Sequence, residues 1–133
     1  MALTIQSPLE PELEQLAEVV VDCAFVVHSE LGPGLLESTY EKCLAWEIAS
    51  RGLQVARQVI LPIDYRGQRI DDGFRIDLLI ENRIIVEVKA VKDIEPIFKR
   101  QLTTYLKLSK LRLGFLINFN KILIRDGIDR FVV

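Results

Sequence analysis

The apolar residues change period at Gly52, and no other feature of the chain constrains its fold as much. Before that point Leu13, Leu16, Val20, Ala24, Val27 and Leu31 recur at intervals of three and four, which predicts an amphipathic helix beginning at Pro11. Pro11 suits a first helical turn, and Glu12, Glu14 and Glu18 lie toward the positive end of the helix dipole. Gly32-Pro33-Gly34 stops the helix sharply. A second helix from about Leu35 turns Leu36, Tyr40, Cys43, Leu44 and Ile48 inward and finds a C-terminal cap in Gly52. Glu37 shares the side of Tyr40 and Leu44, an anomalous place for a carboxylate.

Beyond Gly52 the chain reads as strands. Leu53 to Tyr65 is rich in Val and Ile, and Arg66-Gly67 makes a hairpin turn into Gln68 to Ile70. Phe74 to Ile80 and Ile84 to Val88 are two further strands joined by the tight turn Glu81-Asn82-Arg83. A helix from about Pro96 to Leu108 precedes the apolar run Leu113 to Ile117, so it suits the crossover to a parallel partner. Lys121 to Leu123 and Asp129 to Val133 read as short edge strands forming a terminal hairpin. The residues give the order helix, helix, three strands in antiparallel meander, helix, strand and that hairpin, an α/β (α+β) fold. Residues 1–10 read as a flexible leader and residues 11–133 as a single domain, without repeat or linker.

Composition narrows the classes further. The 133 residues are 50% hydrophobic, enough for a core without disulfides or a structural metal. The longest apolar run, Val19 to Val27, is broken by Asp22 and falls far short of a membrane span. No basic, cleavable signal pattern opens the chain. Cys23 and Cys43 lack metal-ligand spacing and read as reduced core residues of a cytoplasmic protein. The net charge of -2 hides an asymmetry: residues 1–66 carry a balance of -6 and residues 67–133 one of +4. Lys89, Lys92, Lys99, Arg100, Lys107, Lys110 and Arg112 concentrate the positive charge, which permits a polyanionic partner without demanding one.

Three polar residues interrupt the apolar strands. Asp77 lies about five residues before the turn at Asn82 and Glu87 about five after it, so an antiparallel pairing makes them near neighbours. Two carboxylates so placed repel unless a cation lies between them, and clustered carboxylate oxygens are what Mg2+ prefers. Lys89 shares the face of Glu87 by period-two alternation and sits where it can stabilise developing negative charge or place a water. The plainer alternative is a pair of strand-end charges meeting across the surface. The company of Glu37, and of Gln101 and Tyr105 at a spacing of four, weighs against it. His28 is a lone histidine and reads as a hydrogen-bonding or capping residue.

These residues resemble a known group. Gly34-Leu35-Leu36-Glu37-Ser38-Thr39-Tyr40 matches the G-x-x-E-x-x-Y signature of a family of small bacterial and archaeal proteins named after it. Gly73-Phe74-Arg75-Ile76-Asp77, Val86-Glu87-Val88-Lys89-Ala90 and Leu116-Ile117-Asn118-Phe119-Asn120 agree with that family. The family resembles a minimal member of the PD-(D/E)xK nuclease-like superfamily, which implies a restriction-endonuclease-like core, a mixed four-stranded sheet flanked by helices, with the short C-terminal hairpin added to it. The resemblance implies Asp77 as a metal-binding residue, Glu87 and Lys89 as the E-x-K pair, and Glu37 as the helix carboxylate completing the metal shell. Gln101 and Tyr105 resemble the Q-x-x-x-Y helix of exonuclease-like branches.

The implied activity is phosphodiester hydrolysis of nucleic acid, DNA before RNA, with Mg2+ or Mn2+ held by Glu37, Asp77 and Glu87. Gln101, Tyr105, Lys99 and Arg100 would then bind substrate. Because a single site cuts one strand, double-strand cleavage would call for a homodimer. The alternative is a non-catalytic nucleic-acid-binding or partner subunit that retains the nuclease fold. A complete set of Glu37, Asp77, Glu87 and Lys89 favours the first reading, and small size and weak net charge favour the second.

Overall fold

A computed structural model describes residues 8–133. Helix α1 runs over Pro11–Leu31 and α2 over Glu37–Ser50, followed by strands β1 (Val55–Tyr65), β2 (Gln68–Ile80) and β3 (Ile84–Lys89). Helix α3 (Pro96–Ser109) leads to β4 (Leu113–Asn118), a single 3-10 turn at Ile124–Gly127, and β5 (Ile128–Val132). The strands form one sheet in the order β1-β2-β3-β4-β5. Only β3 and β4 are parallel, with α3 as their crossover. No helix among the described residues is long and apolar enough to cross a membrane.

Local chemistry accounts for the joints. Gly32, at φ 68°, ends α1. The Tyr40 hydroxyl donates to the Gly32 carbonyl and accepts the N–H of Leu35, which clamps the turn between the two helices. Arg66 and Gly67 both take left-handed backbone (φ 51° and 84°), as a two-residue hairpin between twisted strands requires. His28 lies within hydrogen-bond distance of the Lys121 carbonyl (2.8 Å), tying the end of α1 to the loop after β4.

The sheet separates two apolar layers. Val20, Ala24, Tyr40, Leu44 and Ile48 of α1 and α2 pack on Leu78, Ile80, Val86, Val88, Phe115 and Ile117. Leu102 and Leu106 of α3 pack on the other side against Ile76, Leu79, Ile85 and Leu116. At about 25 cal/mol per Å2 of apolar surface, each fully buried Leu or Ile adds roughly 2 kcal/mol of gross stabilisation.

Three expectations are corrected. The expected break between Ile70 and Phe74 is absent, and β2 is continuous through Asp71-Asp72-Gly73. The irregularity is a bulge in β2: Leu61 pairs with Phe74 and Ile63 with Ile70, so Asp71, Asp72 and Gly73 together stand opposite Pro62 of β1, and a Cβ on Gly73 would lie 2.6 Å from Ile63 Cγ2, so only glycine fits there. The terminal hairpin does not form: β5 pairs antiparallel with β4 as a fifth strand of the main sheet, and residues 121–123 are a bend. Leu36, expected inside, is 73% exposed because α2 begins only at Glu37. Of the expected leader, residues 1–7 lie outside the described residues, while Leu9 is buried in the core and Glu10 pairs with Arg83 at 2.9 Å.

Candidate metal and phosphodiester site

The turn after β2 sets the register that brings the acidic residues together. Ile80 pairs with Ile84, Leu79 with Ile85 and Leu78 with Val86, and the ladder stops there. The next position in that register would set Asp77 against Glu87. Instead of continuing the ladder, Asp77 accepts the Val88 N–H through Oδ2 at 2.8 Å. A side chain thus replaces a backbone acceptor, and the strands part where the two carboxyls meet.

Glu87 is only 5% exposed. Burial is the main cause that pushes its carboxyl up to about 9; the Asp77 charge and a hydrogen bond with Asp77 add to the effect, and Lys89 opposes it. Its Oε1 is buried and has no hydrogen-bond partner. An acceptor left so costs about 1–3 kcal/mol, more if charged, which marks the place as one built for something other than stability. Lys89 is half-buried, with Nζ 4.3 Å from the centre of the Phe98 ring. The backbone beneath it is held firmly, because the Lys89 carbonyl accepts the Phe119 N–H at 2.8 Å.

Helix α3 closes the site from one side. Tyr105 stacks on Phe74 at 4.5 Å between ring centres. Its hydroxyl is pushed to higher pKa by burial first and then by the negative fields of Glu87 and Asp77, with a hydrogen bond involving Gln101 opposing. Gln101 and Tyr105 therefore stand beside the acidic pair. Lys99 and Arg100 do not. With Thr103, Lys107 and Phe131 they line a separate groove of about 440 Å3 on another side of α3.

The inner-face carboxylate of α2 is Glu41, not Glu37. Glu37 is exposed in the first turn of the helix, whereas Glu41, one turn later, is 5% exposed. Arg57 donates to Glu41 Oε2 from Nη2 at 2.8 Å and from Nε at 3.2 Å, and Gln58 donates to Oε1 at 2.6 Å. The signal for Glu41 was present in the sequence: it stands four residues before Ala45 and seven before Ile48, on the same inner stripe. The G-x-x-E-x-x-Y motif marks Glu37, one turn earlier on that stripe.

Among the described residues no three His, Cys, Asp or Glu side chains converge into a ready metal-binding group. The donor chemistry of the acidic pair nonetheless fits a hard divalent cation: two adjacent carboxyls, one with an unpartnered buried oxygen, and an ammonium group on the same strand. A mixed sheet that parts at an Asp on one strand and carries Glu-x-Lys on the next, with helices on both sides, defines a nuclease-like core. Residues 14–131 match the family model of the PD-(D/E)XK nuclease superfamily, and the chain belongs to that superfamily. Members of the superfamily generally use divalent metal ions. No curated protein and no solved structure matches the chain.

Proposed function

We propose that this protein hydrolyses phosphodiester bonds in nucleic acid, DNA in preference to RNA, with Mg2+ or Mn2+. The observation that carries the reading is the buried, unpartnered Glu87 oxygen beside Asp77, two residues from Lys89. Asp77 and Glu87 would hold the ion, with Glu41 as the third carboxylate in place of the exposed Glu37. Bound there, the ion supplies a water of lowered pKa and neutralises phosphate charge.

The chain's own residues do the rest. Glu87 gives up its proton on loading, so metal uptake is coupled to proton release. Lys89 directs its ammonium at the phosphoryl oxygens or the attacking water, where developing negative charge is greatest. Gln101 and Tyr105 hold the substrate at the reacting phosphate. Lys99 and Arg100 lie off that centre and serve flanking phosphates. The Gly34–Tyr40 signature supports membership of the narrower G-x-x-E-x-x-Y group, and two free thiols support a reducing, cytoplasmic setting. A homodimer would supply the second centre needed to cut both strands.

The test is degradation of labelled DNA and RNA by the purified protein with Mg2+ or Mn2+. Chelation is expected to abolish it, Lys89→Ala to remove cleavage while sparing metal binding, and Asp77→Ala to remove both. Binding without cleavage under every divalent ion, weakened by Lys89→Ala, would instead establish a non-catalytic nucleic-acid-binding subunit.

A further inference from the structure

Asp77 also faces a break on its other side. The β1–β2 register pairs Arg57 with Leu78 and Val59 with Ile76, which sets Gln58 opposite Asp77, and that one pairing is missing. Gln58 is a non-glycine residue at φ 53° in mid-strand, a conformation that persists only where its surroundings enforce it. Consecutive residues of a regular strand point to opposite faces, yet Arg57 and Gln58 both reach the carboxylate of Glu41. The left-handed backbone at Gln58 lets them converge.

The Gln58 carboxamide is shared. Its Nε2 lies 2.6 Å from Glu41 Oε1 and 3.4 Å from Asp77 Oδ1. A carboxamide nitrogen offers two N–H donors and no net charge, so between two carboxylates it satisfies oxygens that would otherwise repel or seek a cation. The oxygen it does not serve, Oε1 of Glu87, is buried and unpartnered. The donors of Gln58 and Arg57 thus occupy the helix carboxylate and one oxygen of the strand carboxylate, and they leave the third carboxyl open.

We propose that Gln58 is a latch on the metal site: in the metal-free protein its amide takes the place of the cation between Glu41 and Asp77, and the ion must displace it to recruit Glu41. This rests on the divalent-metal reading of Asp77 and Glu87. Gln58 is accordingly a positioning residue that lowers apparent metal affinity and keeps Glu41 and Asp77 from repelling one another when no ion is bound. A ligand whose entry must first break a hydrogen-bonded arrangement binds more weakly by the cost of breaking it.

Gln58→Gly relieves the left-handed backbone and removes the amide. Gln58→Asn tolerates that backbone but is too short to span both acids, and it carries the test if the glycine variant folds poorly. Free Mn2+ measured by electron paramagnetic resonance during titration gives the affinity without any reference to cleavage. Both variants are expected to bind Mn2+ about tenfold more tightly than the wild type, a difference of about 1.4 kcal/mol. Both should also show a lower Tm in chelator and a larger rise in Tm on adding Mn2+. Unchanged affinity overturns the latch and leaves the metal site standing. Weaker affinity overturns it too, by making the Gln58 carbonyl oxygen a ligand. If neither wild type nor variants bind Mn2+, the metal reading falls and the latch falls with it.

Discussion

Replacing Glu87 by Gln should change how stability depends on pH, and the size of the change follows from the site. The Glu87 carboxyl is raised from 4.5 to about 9, chiefly by burial and by the Asp77 charge. Between those values the folded protein keeps a proton that the unfolded chain has released. Stability from this group is therefore complete below about 4.5 and is lost as pH rises toward about 9, at up to about 1.4 kcal/mol per unit. From about pH 5 to about pH 8 that is on the order of 4 kcal/mol, and water entering the relaxed site reduces it to on the order of 2. Gln has nearly the same shape and no proton to lose. Urea unfolding in chelator, at a series of pH values, should give wild-type and Glu87→Gln curves that coincide at acid pH and separate as pH rises, the variant being more stable. Parallel pH profiles, or a variant less stable at pH 8, would refute the account of a protonated Glu87 in the metal-free protein.

Asp77→Asn retains an acceptor for the Val88 N–H and removes a charge from beside Glu87, so unfolding free energy in chelator should stay level or rise. A loss of several kcal/mol would make Asp77 a structural acceptor. Asn118 is fully buried, accepts the Val91 and Asn120 N–H groups and donates to the Val91 carbonyl, so Asn118→Ala should cost about 2–3 kcal/mol in urea unfolding. A cost below about 0.5 kcal/mol would show that the loop after β3 does not need this clamp. Tyr40→Phe keeps the stacking on Phe119 at 4.7 Å but strips the Gly32–Leu35 turn of its hydroxyl, and should lower stability by about 1–2 kcal/mol with the fold intact by circular dichroism.

The acidic pair was legible in the sequence because it depends on counting. Asp77 and Glu87 lie equally far from a tight turn, and antiparallel register then does the rest. The period change at Gly52 and the helix before β4 likewise gave the layers and the parallel crossover. Other features depend on tertiary placement. Glu37 and Glu41 are four apart and share a helical face, so the stripe through Ala45 and Ile48 admits Glu41 as a candidate but does not say which of the two lies over the sheet and which extends past its edge. Gln58 has no special sequence signature, since its left-handed backbone is imposed by the neighbours it meets. Asp71-Asp72-Gly73 looks like a turn, yet continues a strand because these residues bulge out of the β2 ladder opposite Pro62, with glycine where a Cβ would meet Ile63. Residues 128–132 carry strand character but no indication of their partner, and only the open edge of β4 decides it.

Whether Asp77 and Glu87 form a divalent-metal site is decided by calorimetric titration of Mn2+ into the purified protein. Saturable heat at a ratio of one ion per chain is expected, with protons released to the buffer as Glu87 ionises. That heat should vanish in Asp77→Ala and persist in Lys89→Ala. Absence of saturable binding to the wild type, or binding that survives the loss of Asp77, would contradict the metal site.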